Sequence, residues 1–362
     1  MKVVIFCGGH GTRLWPVSRQ SFPKPFVPMV KGESFFEITY KRFRKVFKPE
    51  DIFISTEDRY LKYVNKLAPD VPRKNIILEP ERKDILAAIG LATVVINKYY
   101  PGETMLTSWA KHFIARESVF FDAVKVASEY SKKTGLIVSV DAKPLYPTSH
   151  WGWVRVGKTL ATINGFKVVQ IEKHIEKPDL PIAKKLVESG DWLINTGYRV
   201  WRTDTMLGYY KEHQPAMHEG LLKIANVWDS EKQIKVLEDV YAKFKSDSIE
   251  YGIFEKLPNN VRATIAADMG WEDPGISWET FYKSLITPKV TTIVEGGAET
   301  QFLESDNNLV FGPKNKMIAL IGVSDLAVID TPDGLLISRL DRTQEVKDLY
   351  KKLEEYHKKY TV

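Results

Sequence analysis

Short, unbroken apolar runs recur along the first part of the chain, each closed by glycine, proline or charge. VVIFC (3–7) ends at Gly8-Gly9, and DIFIST (51–56), NIILEP (75–80), TMLTSW (104–109) and GLIVSV (135–140) follow. Runs of this kind predict strands buried on both faces, as in a parallel sheet. DILAAIGLATVVINKYY (84–100) and ESVFFDAVKVASEYSKK (117–133) carry helical spacing instead, the first with Asp84 as its expected N-cap. Strands alternating with helices predict a doubly wound α/β domain, whose ligands bind at the carboxyl ends of the strands. The pattern changes in WVRVGKTLATINGFKVVQIEKHIEKP (153–178), where two alternating runs flank Asn164-Gly165. That is a hairpin signal, and it makes the sheet mixed.

Helical segments fill 181–256, and a break follows near 288–300. Beyond it LVFG, MIALIGV, LAVIDT and GLLISR read as short strands separated by PKNK and PDG turns. We expect a larger domain over 1–288 and a small β-rich C-terminal domain over 289–362. The closing QEVKDLYKKLEEYHKKY (344–360) places Val346, Leu349, Leu353 and Tyr356 at helical spacing. That stripe could pack on its own domain or form a homodimer interface. No internal repeat or low-complexity tract is evident.

Composition narrows the classes. A chain of 362 residues with 44% hydrophobic and 27% charged residues is that of a globular protein with a sizeable core. The net charge of +6 is spread along the chain among Asp and Glu, with no basic arm of the kind nucleic-acid binding needs. It remains compatible with a local basic funnel for a phosphorylated small molecule. The one cysteine, Cys7, cannot form an intramolecular disulfide, which fits a reducing compartment. With no signal-peptide core and no apolar stretch of spanning length, the expectation is a cytoplasmic protein without a membrane partner.

The candidate chemistry lies in CGGHGTRLWPVSRQSFPKPF (7–26). Gly8, Gly9 and Gly11 remove the Cβ atoms that would keep an anion from backbone N–H groups. Arg13 offers a fork for phosphate oxygens and Lys24 a mobile point charge. The pattern is neither the Walker loop nor the GxGxxG fingerprint. Its physics points to phosphate.

With those residues in view, the stretch resembles the GGxGTRLWPxSR…PKxF signature of the sugar-1-phosphate nucleotidylyltransferases, in the variant of the mannose-1-phosphate guanylyltransferase branch. Further matches follow in order. EPERKDILAAIGLA (79–92) resembles EP-x-x-R-N-T-A-P-A, WAKHFI (109–114) resembles P-A-D-H-x-I, and HIEKP (174–178) resembles F-x-E-K-P. INTGYRVW (194–201), SIEYGIFEK (248–256), GWEDPGISW (270–278) and IALIGVSDLAVIDTPDGLLI (318–337) resemble later segments of the family. The resemblance implies a Rossmann-like α/β fold of the nucleotide-diphospho-sugar transferase type with a β-rich C-terminal domain. It implies transfer of GMP from GTP to mannose-1-phosphate, giving GDP-mannose and pyrophosphate. It places Gly8, Gly9, Gly11, Thr12, Arg13 and Lys24 at the nucleotide, with Glu79 and Pro80 beside the base. It places Gly152, Glu176, Lys177 and Asn195 at the sugar phosphate, and Arg13 at the transition state.

The resemblance also implies Mg²⁺ held by two aspartates. Asp273 stands at one position, but Lys111 occupies the other. Three readings stay open. Lys111 serves as a built-in cation; or Mg²⁺ binds through Asp273 and substrate phosphates alone; or the chain is a catalytically impaired regulatory homologue or one altered at this position. Asp84-Ile85 in place of Asn-Thr, His150 in place of Gly and Pro274 in place of Val are further departures. They leave another sugar-1-phosphate or nucleotide as the alternative substrate.

Overall fold

A computed structural model describes every residue except His10. The chain folds into two compact units, each assembled from separated segments. The first takes Met1–Phe6, Phe43–Trp109 and Ile114–Trp271; the second takes Cys7–Arg42, Ala110–Phe113 and Glu272–Val362.

The first unit is built on one ten-stranded mixed sheet. Its strands are β1 (Lys2–Phe6), β2 (Ile52–Glu57), β3 (Ile76–Glu79), β4 (Thr104–Trp109), β5 (Ile137–Asp141), β6 (Gly152–Ile163), β7 (Phe166–Ile175), β8 (Trp192–Asn195), β9 (Arg199–Arg202) and β10 (Arg262–Ala266). They lie in the order β8-β6-β7-β10-β5-β9-β4-β1-β2-β3. The apolar runs form the parallel part: β1 pairs with β2 and β4, and β2 with β3. Val4 and Phe6 pack into the cluster around helix Asp84–Tyr99. Val3 and Ile5, on the opposite face of the pleat, are equally buried, as a strand covered on both sides requires. The predicted hairpin forms between β6 and β7. Asn164 (φ 49°) and Gly165 (φ 82°) supply the two left-handed residues of its turn.

Asp84 does not cap its helix. It is the first helical residue, with φ 61°, and its carboxylate accepts from the neighbouring Ile85 N–H. A free amide of the first turn, Leu86 N–H, is satisfied by the Asp247 carbonyl at 3.1 Å instead.

The second unit contains β11 (Ile293–Glu295), β12 (Glu299–Leu303), β13 (Leu309–Phe311), β14 (Met317–Ile321), β15 (Leu326–Thr331) and β16 (Gly334–Arg339). Strands β11, β13 and β15 stack in parallel, Ile293 beside Leu309 beside Ala327. β12 and β14 do the same on a second side. Successive stretches of chain therefore coil over one another, a structural repeat that leaves no matching repeat of residues. Gly296 (φ 80°) shows how close the turns lie, since a Cβ there would meet the Gly312 carbonyl oxygen at 2.6 Å.

The core of this unit includes Leu14, Trp15 and Val17 of the glycine-rich segment, packed with Ile293, Leu309, Val346 and Tyr350. Trp15 Nε1–H donates to the Tyr360 carbonyl at 2.9 Å, and Trp278 Nε1–H donates to the Trp15 carbonyl at 3.0 Å. The last helix, Val346–Tyr356, buries Val346 and Tyr350 and packs Leu353 against the same core. Leu349 and Tyr356, expected on that stripe, are 38% and 70% exposed. The inward face follows the 346–350–353 spacing, fixed by Tyr350 O–H donating to the Thr361 carbonyl at 2.9 Å.

Candidate functional site

Both units hold candidate residues. Gly8, Gly9, Gly11, Thr12, Arg13, Lys24, Lys111 and Asp273 belong to the second; Glu79, Pro80, Gly152, Glu176, Lys177 and Asn195 belong to the first.

In the second unit, a Cβ at Gly8 or Gly9 would meet nothing within 4 Å, so the space beside both is open. Gly11 (φ 67°) begins the short turn Thr12–Leu14, and a Cβ on it would collide with the Lys24 side chain. Ser18 O–H donates to the Gly11 carbonyl. Arg13 is exposed and Thr12 half-buried. Lys24 Nζ donates to the Gly275 carbonyl at 3.0 Å. Burial, with the nearby charge of Lys111, lowers its ammonium to about 8.

Asp273 lies at the centre of this cluster with only 2% of its side chain exposed. Its Oδ2 is 2.5 Å from Lys111 Nζ, and its Oδ1 accepts from Gly275 N–H at 3.2 Å. Burial alone would raise its pKa, but Lys111 and His112 overrule that and hold the carboxyl well below the ordinary range. His112, 3.7 Å from Asp273 Oδ2, is buried and pushed down to about 4, so it is a neutral imidazole at pH 7. Among the described residues, no group of three or more His, Cys, Asp or Glu is placed to hold a metal ion. Asp273 is a single carboxylate already filled by an ammonium, and the residues present do not fit a protein-held Mg²⁺.

In the first unit, β3 ends at Glu79, whose carboxyl is held inside the protein. Tyr241 O–H donates to it at 2.7 Å and Ser55 O–H at 3.0 Å. Burial pushes this carboxyl up to about 7. The adjoining Pro80 is exposed and, with Glu79, Arg73, Trp228 and Leu237, lines a cleft of 660 Å³.

A second cluster in this unit follows from sheet register. β8 pairs with β6 so that Asn195 lies opposite Gly152. β7 brings His174 beside them, with Nε2 3.3 Å from Asn195 Nδ2 and 3.7 Å from Glu176 Oε2. A Cβ on Gly152 would meet Glu176 Oε2 at 2.5 Å, His174 Nε2 at 2.9 Å and Asn195 Nδ2 at 3.3 Å. Three hydrogen-bonding side chains thus converge over one glycine. Lys177 is exposed and pairs with Glu176 Oε1 at 2.5 Å.

His174 is the residue sequence reasoning missed, although it opens the quoted HIEKP where the family pattern has Phe. Burial and the nearby Arg199 push it down to about 4. Arg199 is itself paired with Glu250 at 3.0 Å.

Comparison with known proteins decides the family. The Nucleotidyl transferase family matches residues 2–285. The chain belongs to the nucleotidyl transferase family. As a nucleotidyl transferase it is an enzyme, and its residues 300–353 match the MannoseP isomerase/GMP-like beta-helix domain, in accord with the stacked coil. It is 28% identical to the Mannose-1-phosphate guanylyltransferase of Escherichia coli, over 97% of this chain and 75% of that protein. It is also 28% identical to the Xanthan biosynthesis protein XanB of Xanthomonas campestris, over 97% of this chain and 73% of that one. Among solved structures, one described as mannose-1-phosphate geranyltransferase from Thermus thermophilus superposes with a TM-score of 0.86 at 25% identity, covering 98% of this chain and 99% of its own. The mixed α/β architecture and the nucleotidylyltransferase membership expected from the motifs are borne out. No helix among the described residues is long and apolar enough to cross a membrane.

Proposed function

We propose that this nucleotidyl transferase moves GMP from GTP to mannose-1-phosphate, releasing pyrophosphate. The observation that carries the reading is likeness along 97% of the chain to relatives named for that reaction. In the transfer, an oxygen of the sugar phosphate attacks the α-phosphorus of the triphosphate. The α-phosphorus to bridging-oxygen bond breaks, and pyrophosphate leaves with the electron pair. No proton need be abstracted from an ionised phosphate, and no enzyme nucleophile is required. The demands are alignment and charge.

Arg13 and Lys24 would hold triphosphate oxygens and the departing pyrophosphate, beside the open backbone at Gly8 and Gly9. Pro80 and the main chain at Glu79 would lie against the base, because the Glu79 carboxyl is held by Tyr241 and Ser55. Glu176, Asn195 and neutral His174 would accept and donate to sugar hydroxyls over Gly152, and Lys177 would take the sugar phosphate. His174 favours a second reading, in which the sugar is an isomer of mannose, because it adds a hydrogen-bonding group where the family pattern has an apolar ring.

Pyrophosphate release measured with GTP against a panel of sugar-1-phosphates tests both readings. Mannose-1-phosphate should give the highest kcat/KM, and Gly152→Ala should raise the KM for the sugar phosphate about tenfold or more while leaving that for GTP unchanged. Absence of release with every guanosine substrate pair would refute the proposal.

A further inference from the structure

The residues that would hold a metal and those present do not agree, and the disagreement is constructive. We infer that Lys111 is the resident cation of the phosphate cradle, and that the triphosphate this chain binds is the one free of divalent metal. The inference rests on the nucleotide reading above.

Asp273 is buried, and both its oxygens are committed, one to Lys111 Nζ at 2.5 Å and one to Gly275 N–H at 3.2 Å. A dication seeking that carboxylate would have to expel an ammonium from a short, charge-assisted bond. Lys111 is held but not hidden, for 34% of its side chain is exposed while Asp273 has 2%. An ammonium has three donors, and Asp273 takes one, so the others remain to be offered outward. Lys24 is fixed in the same turn by the Gly275 carbonyl at 3.0 Å. Two ammonium groups against one carboxylate leave surplus positive charge, and Arg13, close enough to act on Lys24, adds to it.

That is a ready-made seat for a polyphosphate. A metal-chelated triphosphate would bring a dication toward the same ammonium groups and lose part of the attraction. Lys111 makes and breaks no covalent bond here; it supplies fixed charge where negative charge collects. A purely structural Lys111, serving only to neutralise Asp273, would leave the metal response of nucleotide binding unchanged on substitution.

The test is calorimetric titration of the whole chain with GTP, in chelator and in Mg²⁺, beside pyrophosphate release under both conditions. The wild type should bind at least as tightly in chelator as in Mg²⁺. Lys111→Asp, which sets a second carboxylate beside Asp273, should weaken binding in chelator about tenfold or more and recover it with Mg²⁺. Lys111→Arg keeps the cation and should stay within about threefold of wild type in chelator. Wild-type binding that requires Mg²⁺ would overturn the inference, as would Lys111→Asp binding like wild type in chelator. Should Lys111→Asp not fold, the wild-type comparison and Lys111→Arg decide the matter. Metal-free GTP binding without turnover would defeat only the proposed substrates. Turnover that appears only with Mg²⁺ would defeat only the role of Lys111.

Discussion

Replacing Trp15 by alanine tests whether the glycine-rich loop is held from behind by the C-terminal coil. Trp15 is 7% exposed and packs with Val346, Tyr350 and the stacked strands. Truncating a buried tryptophan costs about 3–5 kcal/mol, from lost burial and from the cavity left behind. Leaving the Tyr360 carbonyl without its Nε1–H donor lies within the same loss, at about 1 kcal/mol. Trp15→Phe separates the two terms. It keeps most of the ring and removes the donor, so about 1–2 kcal/mol is expected. Urea unfolding followed by circular dichroism measures both variants. GTP titration of the folded proteins then reads the loop itself, because Arg13 and Lys24 lie on the segment that Trp15 anchors. Trp15→Ala should weaken GTP binding more than Trp15→Phe. A loss of stability below about 1 kcal/mol in Trp15→Ala, with unchanged GTP affinity, would refute the anchoring argument.

Two further outcomes are expected. Gly11→Ala forces a left-handed residue with a Cβ into the Lys24 side chain, and should cost about 2–4 kcal/mol in urea unfolding while weakening GTP binding; wild-type values for both would count against the geometry. Glu79 has its carboxyl raised from 4.5 to about 7 on folding, so between those pH values the folded state binds more proton than the unfolded one. Its contribution to stability therefore falls as pH rises through that window, by at most about 1.4 kcal/mol per pH unit. Glu79→Gln should flatten the melting profile between about pH 5 and 8, and parallel profiles would exclude the burial argument.

Much of the fold is legible in the sequence. The parallel strands announced themselves as unbroken apolar runs, and Asn164-Gly165 placed the hairpin, because both signals are local. Glycines and cations of the opening loop point to phosphate on chemistry alone, and that reading is carried into the proposed function. Three things are not legible in the sequence. The stacked coil repeats in backbone but not in residue identity, so no self-similarity betrays it. The inward face of the last helix depended on Tyr350 finding Thr361, a contact no periodicity contains. The convergence of His174 on Gly152 arises from the register of three strands, and a histidine standing where a family pattern has phenylalanine was its one sequence trace. The Asp84 cap failed for a similar reason, since a distant carbonyl at Asp247 satisfied the helix end.

The second unit joins residues 7–42 to residues 272–362. A ribosome adding about 5–20 residues per second leaves Leu14, Trp15 and Val17 waiting on the order of tens of seconds for the partners that cover them. During that interval the sheet of the first unit can already form, while the opening segment remains an exposed apolar tether. Nascent chains halted before residue 272 should therefore bind holdase chaperones through this segment, and the glycine-rich loop should mature as one of the last parts of the protein to be finished.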